Sequence, residues 1–119
     1  MHWYIAKIVF RIISGDGGHT AQFDEQLRLI NACDEKEAIR KATRIGDIEE
    51  ESFLNHENQM VYWKFIDVSE LRRLDSIKDG IEVYSRVREE ENGRHYTDFV
   101  NKKAEFLRTS FQESMKEPV

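Results

Sequence analysis

The stretch that decides the fold is Trp3–Ile13, which reads W-Y-I-A-K-I-V-F-R-I-I. The odd positions in it mix apolar residues with Lys7 and Arg11. Every even position is apolar: Tyr4, Ala6, Ile8, Phe10 and Ile12. An apolar period of two over this length predicts a β-strand with one fully buried face and one partly buried face.

A tight reversal and a second alternating run follow this strand. The reversal at Ser14–His19 contains three glycines, which tolerate the positive φ angles that short hairpin turns need. The next run, Gln22–Ala32, alternates again. One side of this run carries Phe23, Glu25, Leu27 and Leu29. The other side carries Gln26, Arg28 and Ile30. The two runs together predict a β-hairpin of long strands.

The segment after the hairpin predicts a short amphipathic helix. Asp34 is expected to cap it, because Glu37 follows three residues later as in a capping box. Gly46 is expected to end it. The apolar positions recur at helical spacing: Ala38, Ile39, Ala42 and Ile45. Such a narrow apolar stripe is typical of a helix that lies across one face of a sheet.

The middle of the chain predicts further strands and one helical turn. Ser52–Leu54 resembles a short strand, and Met60–Val68 is rich in aromatic and β-branched residues. Ser69–Leu74 is expected to form a single helical turn capped by its first residue. After a turn at Asp79–Gly80, the alternation of Ile81–Val87 predicts another strand.

The end of the chain predicts a second, longer amphipathic helix over 94–117. It follows a polar break at Glu89–Gly93, and Thr97 is its expected cap. The apolar positions, three, four and seven residues apart, are Phe99, Val100, Phe106, Leu107, Phe111 and Met115. Burying each phenylalanine contributes about 1.5–3 kcal/mol, so we expect this helix to pack on the sheet or on a second subunit.

These elements predict a single α+β domain over 1–119. Residues 1–88 would hold the sheet and the first helix, and residues 94–117 the C-terminal helix. We expect a mainly antiparallel sheet of about five strands, in the order β-β-α-β-β-β. Because the first strand is half apolar on its second face, a homodimer is expected to supply the missing cover.

Composition limits the classes of partner. The chain has 119 residues and a formal net charge of -5, which argues against binding nucleic acid or an anionic membrane. Cys33 is the one cysteine, so the chain cannot form an internal disulfide. Together with the absence of a signal-like apolar run, this predicts a cytoplasmic protein.

The order and spacing of four segments resemble the uncharacterised bacterial family catalogued as domain of unknown function 4288. The segments are W-Y-I-A-K-I-V-F-R at Trp3–Arg11, D-E-K-E-A at Asp34–Ala38, W-K-F-I-D-V-S-E-L at Trp63–Leu71 and D-G-I-E-V-Y-S-R at Asp79–Arg86. The resemblance covers about residues 3–86 and leaves the final third unmatched. It implies the order of the elements, and no activity, cofactor or catalytic residue.

No catalytic, metal or cofactor constellation stands out in the sequence. None of the four histidines has a recognised ligand spacing, so no cofactor and no metal are expected. Cys33 is interpreted as a buried, inert thiol. The aromatic residues of two β-prone runs are interpreted as core and cross-strand pairs rather than a stacking surface for bases: Trp3, Tyr4, Tyr62, Trp63 and Phe65.

One polar constellation is a candidate binding site. Lys64 and Asp67 come from the aromatic strand, and Glu82, Tyr84 and Arg86 from the last predicted strand. The alternative is that these residues form cross-strand salt bridges that contribute little.

Three functions remain open at this point. The leading hypothesis is a non-enzymatic module that binds another protein through its sheet or its terminal helix. In a sharper form it is an immunity-like or inhibitor protein, whose acidic runs Asp47–Glu51 and Glu89–Glu91 steer a basic partner. The alternative is a small-ligand binding domain with a pocket between sheet and helix. An enzyme using Asp67, Tyr84 and Arg86 comes last, because no nucleophile–base pair can be proposed.

Overall fold

The fold was analysed in a computed structural model that describes the backbone of residues 1–115 and the side chains through residue 112. It is an α+β fold. The elements, in chain order, are β1 (His2–Ser14), β2 (Gln22–Ala32), α1 (Glu35–Ile48), β3 (Glu51–Leu54), β4 (Met60–Leu74) and α2 (Gly93–Met115). The order β-β-α-β-β over the first four strands is as predicted.

The strands form one antiparallel sheet in the order β2-β1-β4-β3. The predicted hairpin is confirmed, with Ile12 opposite Gln22 and His2 opposite Ala32. The decisive first strand lies in the interior of the sheet, because β2 pairs with one of its edges and β4 with the other. Since β1 touches two strands and a helix, its long apolar run organises the whole sheet.

The main core cluster lies on one side of the sheet, between the strands and α1, and we call this the helix side. Ile5 and Leu74 are buried on the opposite face. The even residues of β1 point to the helix side, as the period of two predicts: Tyr4, Ala6, Ile8 and Phe10 are buried. Ala38 and Ala42 of α1 are buried against them. These two small side chains let the helix approach the sheet closely, which explains why its apolar stripe is narrow.

The predicted start of α1 is confirmed, and its predicted end is wrong. The Asp34 carboxylate accepts a hydrogen bond from the Glu37 N–H at 2.9 Å, as an N-cap should. Gly46 does not terminate the helix, which continues to Ile48. This glycine instead lies against the ring of Phe65, where a Cβ atom would collide with the ring carbons. Gly46 is therefore required for close packing rather than for a turn.

Two predictions for the second half of the sheet are wrong. Ser69–Leu74 is not a helical turn but the continuation of β4, and this half of the strand pairs with residues Trp3–Lys7 of β1. The ladder between β1 and β4 holds the segment extended, and it includes register shifts between Lys7 and Ile8 and between Val9 and Phe10. Residues 81–87 have no regular secondary structure, so the described residues form four strands rather than about five.

The C-terminal helix forms where the sequence predicts it, although its cap differs. The Asn92 side chain accepts a hydrogen bond from the His95 N–H at 2.9 Å, whereas Thr97 donates its hydroxyl to the Gly93 carbonyl inside the first turn. The predicted end at residue 117 lies outside the described residues. The chain divides into two compact units, one comprising residues 1–83 and the other starting at Tyr84 and containing α2.

Candidate interaction surface and polar cleft

The face of the sheet opposite α1, which we call the open face, exposes a row of large apolar side chains. Phe23, Leu27 and Leu29 of β2 are 53%, 48% and 54% exposed. They stand opposite the odd residues of β1, so they project away from the core. These residues form a patch on the open face.

The placement of this patch follows from an inverted pattern in β2. In most half-covered sheets the apolar residues of a strand face the helix and the polar residues face water. In β2 the helix-side positions Asp24, Gln26 and Arg28 are polar, whereas the open positions are apolar. Only Ile30 and Ala32 of this strand are buried on the helix side. The alternation in the sequence separates the two sides of β2, but it cannot reveal which side the helix covers.

An ion-pair triad lies within the open face. The Lys7 Nζ is 2.6 Å from a carboxylate oxygen of Glu70 and 3.7 Å from one of Glu25. The lysine side chain is largely buried, whereas more than half of each carboxylate side chain is exposed. One cation shared by two carboxylates gives the triad a net charge of -1. The open face therefore combines an apolar row along β2 with charged groups, including this triad and Arg11, whose guanidinium lies over the ring of Phe23.

The five residues of the predicted polar patch are divided between the two units of the chain. Lys64 and Asp67 lie on β4, opposite Arg11 and Val9 of β1, and so on the open face. The Asp67 carboxylate accepts a hydrogen bond from the N–H of the next residue, at 2.8 Å.

Glu82 belongs to the first unit, and its carboxylate lies 3.6 Å from the guanidinium of Arg72. Arg72 pairs with Ile5 of β1 and therefore lies on the open face. Tyr84 and Arg86 belong to the second unit. Both predicted carboxylates thus have partners that the prediction did not include, and the five-residue patch stays a prediction.

A polar cleft of about 480 Å³ opens between the sheet and the C-terminal end of α1. Its lining combines the rings of Phe10 and Trp63 with charged and polar groups from β2 and from the segment after the helix. The latter groups are Asp24, Gln26, Arg28, Glu49, Glu50 and Glu51. With four carboxylates and one guanidinium, the cleft is acidic.

A chain of hydrogen bonds fixes the polar wall of this cleft. The Trp63 indole N–H and the Gln26 amide both donate to the Asp24 carboxylate, at 3.2 and 2.6 Å. Arg28 donates to the Gln26 amide oxygen and, at 2.6 Å, to Glu49. The network links β2, β4 and the end of α1. Sequence reasoning missed this site, although the polar alternation of β2 was its signal.

The aromatic residues of the two β-prone runs divide between core and surface. Tyr4 is fully buried, and Trp63 and Phe65 pack against the core, which supports the core interpretation for these three. Burial is the main cause that raises the pKa of the Tyr4 hydroxyl, and the nearby Glu35 carboxylate raises it further. Trp3 and Tyr62 are about 40% exposed.

The expectation of a buried thiol is wrong, because Cys33 is exposed. The last buried position of β2 is Ala32, and the chain leaves the sheet directly after it to enter α1. Among the histidines, His19 is held in the hairpin turn, where its Nε2 accepts a hydrogen bond from the Ser14 N–H. Among the side chains of residues 1–112, no group of three or more His, Cys, Asp or Glu residues is arranged to hold a metal ion.

Neither helix of the described chain is long and apolar enough to span a membrane. In comparisons with known proteins, no curated protein and no solved structure matches the sequence. A family model matches residues 3–85, which is about the range of the resemblance seen in the sequence. The chain therefore belongs to the family described as Domain of unknown function (DUF4288).

Proposed function

We propose that this chain is a non-enzymatic protein-interaction module and that the open face of its sheet is the surface that binds the partner. The observation that carries the proposal is the half-exposed row of Phe23, Leu27 and Leu29. Large apolar side chains that lie together on a surface are typical of interaction sites. Burying each of them contributes about 1.5–3 kcal/mol, so a partner that covers the row gains substantial free energy.

The charges of the chain favour a partner with a basic surface. The net charge of the chain is -5, and the Lys7–Glu25–Glu70 triad on the open face has a net charge of -1. The runs Asp47–Glu51 and Glu89–Glu91 add acidic segments that speed the approach of a basic protein. An immunity-like or inhibitor protein, which covers the basic surface of another protein, has these properties.

Affinity capture with matched baits tests the proposal. The wild-type chain and two variants are immobilised and exposed to extract from the native cells. Leu29→Glu places a carboxylate on the open face, whereas Ile39→Glu places one on a similarly exposed apolar position of α1. We expect a specific protein to be retained by the wild type and by Ile39→Glu, and to be lost with Leu29→Glu.

Two outcomes separate this proposal from non-specific adhesion. A partner retained equally by all three baits would show that the open face is not the binding surface. A partner released from the wild type by about 0.5 M salt would indicate that the acidic groups dominate, because screening at that ionic strength acts over about 4 Å. Circular dichroism of each bait confirms that the variants remain folded.

A second candidate function is the binding of a small organic cation in the polar cleft. Four carboxylates around a floor of two aromatic rings favour a cation with an apolar stem, such as an arginine or a diamine. Trp63 lines the cleft, so binding should change its fluorescence.

Titration with arginine and with putrescine tests this function, with acetate as the control ligand. We expect saturable quenching by a cation and none by acetate. Saturation that persists in Glu50→Gln and Glu51→Gln, or no change with any cation, would contradict it.

A further inference from the structure

We propose that the open face binds helix α2 of a second copy of this chain, so that two copies exchange their helices reciprocally. The inference deepens the proposed function and rests on it, because it names one partner of the same face. It joins two apolar surfaces, the patch on the open face and the stripe of α2.

The apolar stripe of α2 is largely exposed. Phe106 and Phe111 are 75% and 62% exposed, and Phe99, Val100 and Leu107 are each about half exposed. At 100° per residue, Phe99, Phe106 and Leu107 fall on one side of the helix, with Val100 and Phe111 at its margin. A helix with such a stripe is stable in water only when another surface covers it.

The stripe and the patch have matching lengths. From Phe99 to Phe111 the helix rises about 18 Å, at 1.5 Å per residue. From Phe23 to Leu29 the strand extends about 20 Å, at roughly 3.4 Å per residue. A helix that runs along β2 therefore brings its apolar side chains over the apolar row without overhang at either end.

Charge complementarity supports the same pairing. The Nζ of Lys103 lies 4.9 Å from the centre of the Phe99 ring, so this cation is part of the stripe. The triad on the open face, in which Lys7 serves both Glu25 and Glu70, has a net charge of -1. One lysine in the apolar stripe would balance the net charge of this triad, which lies along the row formed by Phe23, Leu27 and Leu29.

The area that becomes buried favours a reciprocal exchange. The stripe and the patch comprise eight apolar side chains, each of which exposes on the order of 100 Å². A single helix–face contact thus buries roughly half of a standard interface, whereas two related contacts reach the usual range of about 1,200–2,000 Å². A twofold dimer provides both contacts because each copy contributes one helix and one face.

Sedimentation equilibrium of the full chain at tens of micromolar tests the proposal. We expect the wild type to be a dimer. Leu27→Glu on the face and Phe106→Glu on the helix are each expected to raise the dimer dissociation constant by about tenfold or more. Asn101→Glu adds a carboxylate to an exposed position outside the stripe, and this variant is expected to remain dimeric.

Mixing the two defective variants gives the sharpest result. Phe106→Glu retains an intact face and Leu27→Glu retains an intact helix, so one good contact forms between them. We expect a heterodimer at concentrations where neither variant associates alone. Phe111→Glu replaces Phe106→Glu if the latter is unfolded by circular dichroism.

Each alternative arrangement gives a different result and overturns the inference. A monomeric wild type excludes exchange and favours a helix that binds its own sheet or a different partner. A Leu27→Glu variant that stays dimeric indicates contacts between helices, and a Phe106→Glu variant that stays dimeric indicates contacts between faces. The proposed function survives a monomeric wild type if Leu29→Glu still abolishes partner capture, so the two failures are distinguishable.

Discussion

At the scale of single residues, Gly46 shows how one missing side chain sets the distance between helix and sheet. It occupies a buried position within α1, over the ring of Phe65. That ring in turn packs against Phe10, with 5.9 Å between the ring centroids. Any Cβ at position 46 would meet the Phe65 ring, so the helix would have to move away from both aromatic residues.

We predict that Gly46→Ala destabilises the protein although alanine is the better helix former. The helix propensity favours alanine by about 1 kcal/mol, but overpacking of a core costs about 1–3 kcal/mol. We expect a net loss in the free energy of unfolding, measured by urea denaturation.

Gly93→Ala is the matched control, because no atom lies within 4 Å of an added Cβ at that position. It should leave the urea midpoint unchanged or slightly raised. A Gly46→Ala variant at least as stable as the wild type would mean that the glycine acts only as a poor helix former.

At the scale of elements, the sequence predicts what local patterns determine. β1, β2 and α1 are each marked by a full-length periodicity together with turn or cap residues. All three elements form, although α1 continues past its predicted end at Gly46. The prediction for Ser69–Leu74 is wrong because its cap and spacing resemble those of a helical turn, whereas pairing with β1 determines its structure. The prediction of a strand over residues 81–87 is wrong for the opposite reason. Their sequence alternates as in a strand, but alternation alone does not supply a neighbouring strand to pair with.

The N-terminus of α1 supports a prediction about capping. The Asp34 side chain satisfies the Glu37 N–H, so Asp34→Ala is expected to lower the free energy of unfolding by about 1 kcal/mol. Asp34→Ser, which retains an acceptor oxygen, should lower it by much less. Equal losses in the two variants, measured by thermal denaturation, would show that the charge of Asp34 rather than its hydrogen bond stabilises the helix.

Glu37 in the same turn gives this element a pH dependence. The hydrogen bond from the Cys33 N–H lowers the pKa of the Glu37 carboxyl below its ordinary value of 4.5. The ammonium group of Lys41, whose Nζ is 3.5 Å from a Glu37 carboxylate oxygen, lowers this pKa further. A lowered pKa contributes stability that is fully present above the ordinary value and is lost as the pH falls through the lowered one. We expect Glu37→Gln to be less stable than the wild type above pH 4.5 and equally stable in stronger acid. A constant difference across the acid range would contradict this.

At the scale of the whole molecule, the site was less predictable than the fold because it depends on which side of each strand is covered. Alternation correctly grouped Phe23 with Leu27 and Leu29, but only the position of α1 makes that group the exposed one. The predicted polar patch combines residues from two runs, and the second run is divided between the compact units, with Glu82 in the first and Tyr84 and Arg86 in the second. The spacing of residues within a strand determines which side chains lie on the same face. Which of these faces is exposed depends on where the other elements pack in the tertiary structure.

The division of the chain into two units leads to the last prediction, that a chain ending at Val83 folds by itself. Among the side chains that the structure describes, every buried core residue lies between Tyr4 and Leu74, and the Arg72–Glu82 ion pair is also retained. We therefore expect cooperative thermal unfolding with a midpoint within about 5 °C of the full chain, the shift that roughly 1 kcal/mol produces in a domain of this size.

The comparison must separate loss of α2 from loss of the dimer, since association itself raises apparent stability. Full-length Phe106→Glu, expected to be monomeric, is therefore the reference for the chain ending at Val83. If the shorter chain unfolds without cooperativity while that variant unfolds cooperatively, residues from 84 onward are required to complete the core. If both unfold alike, the sheet with α1 is an independent domain. In that case α2 is free to act in binding, because the stability of the sheet does not depend on it.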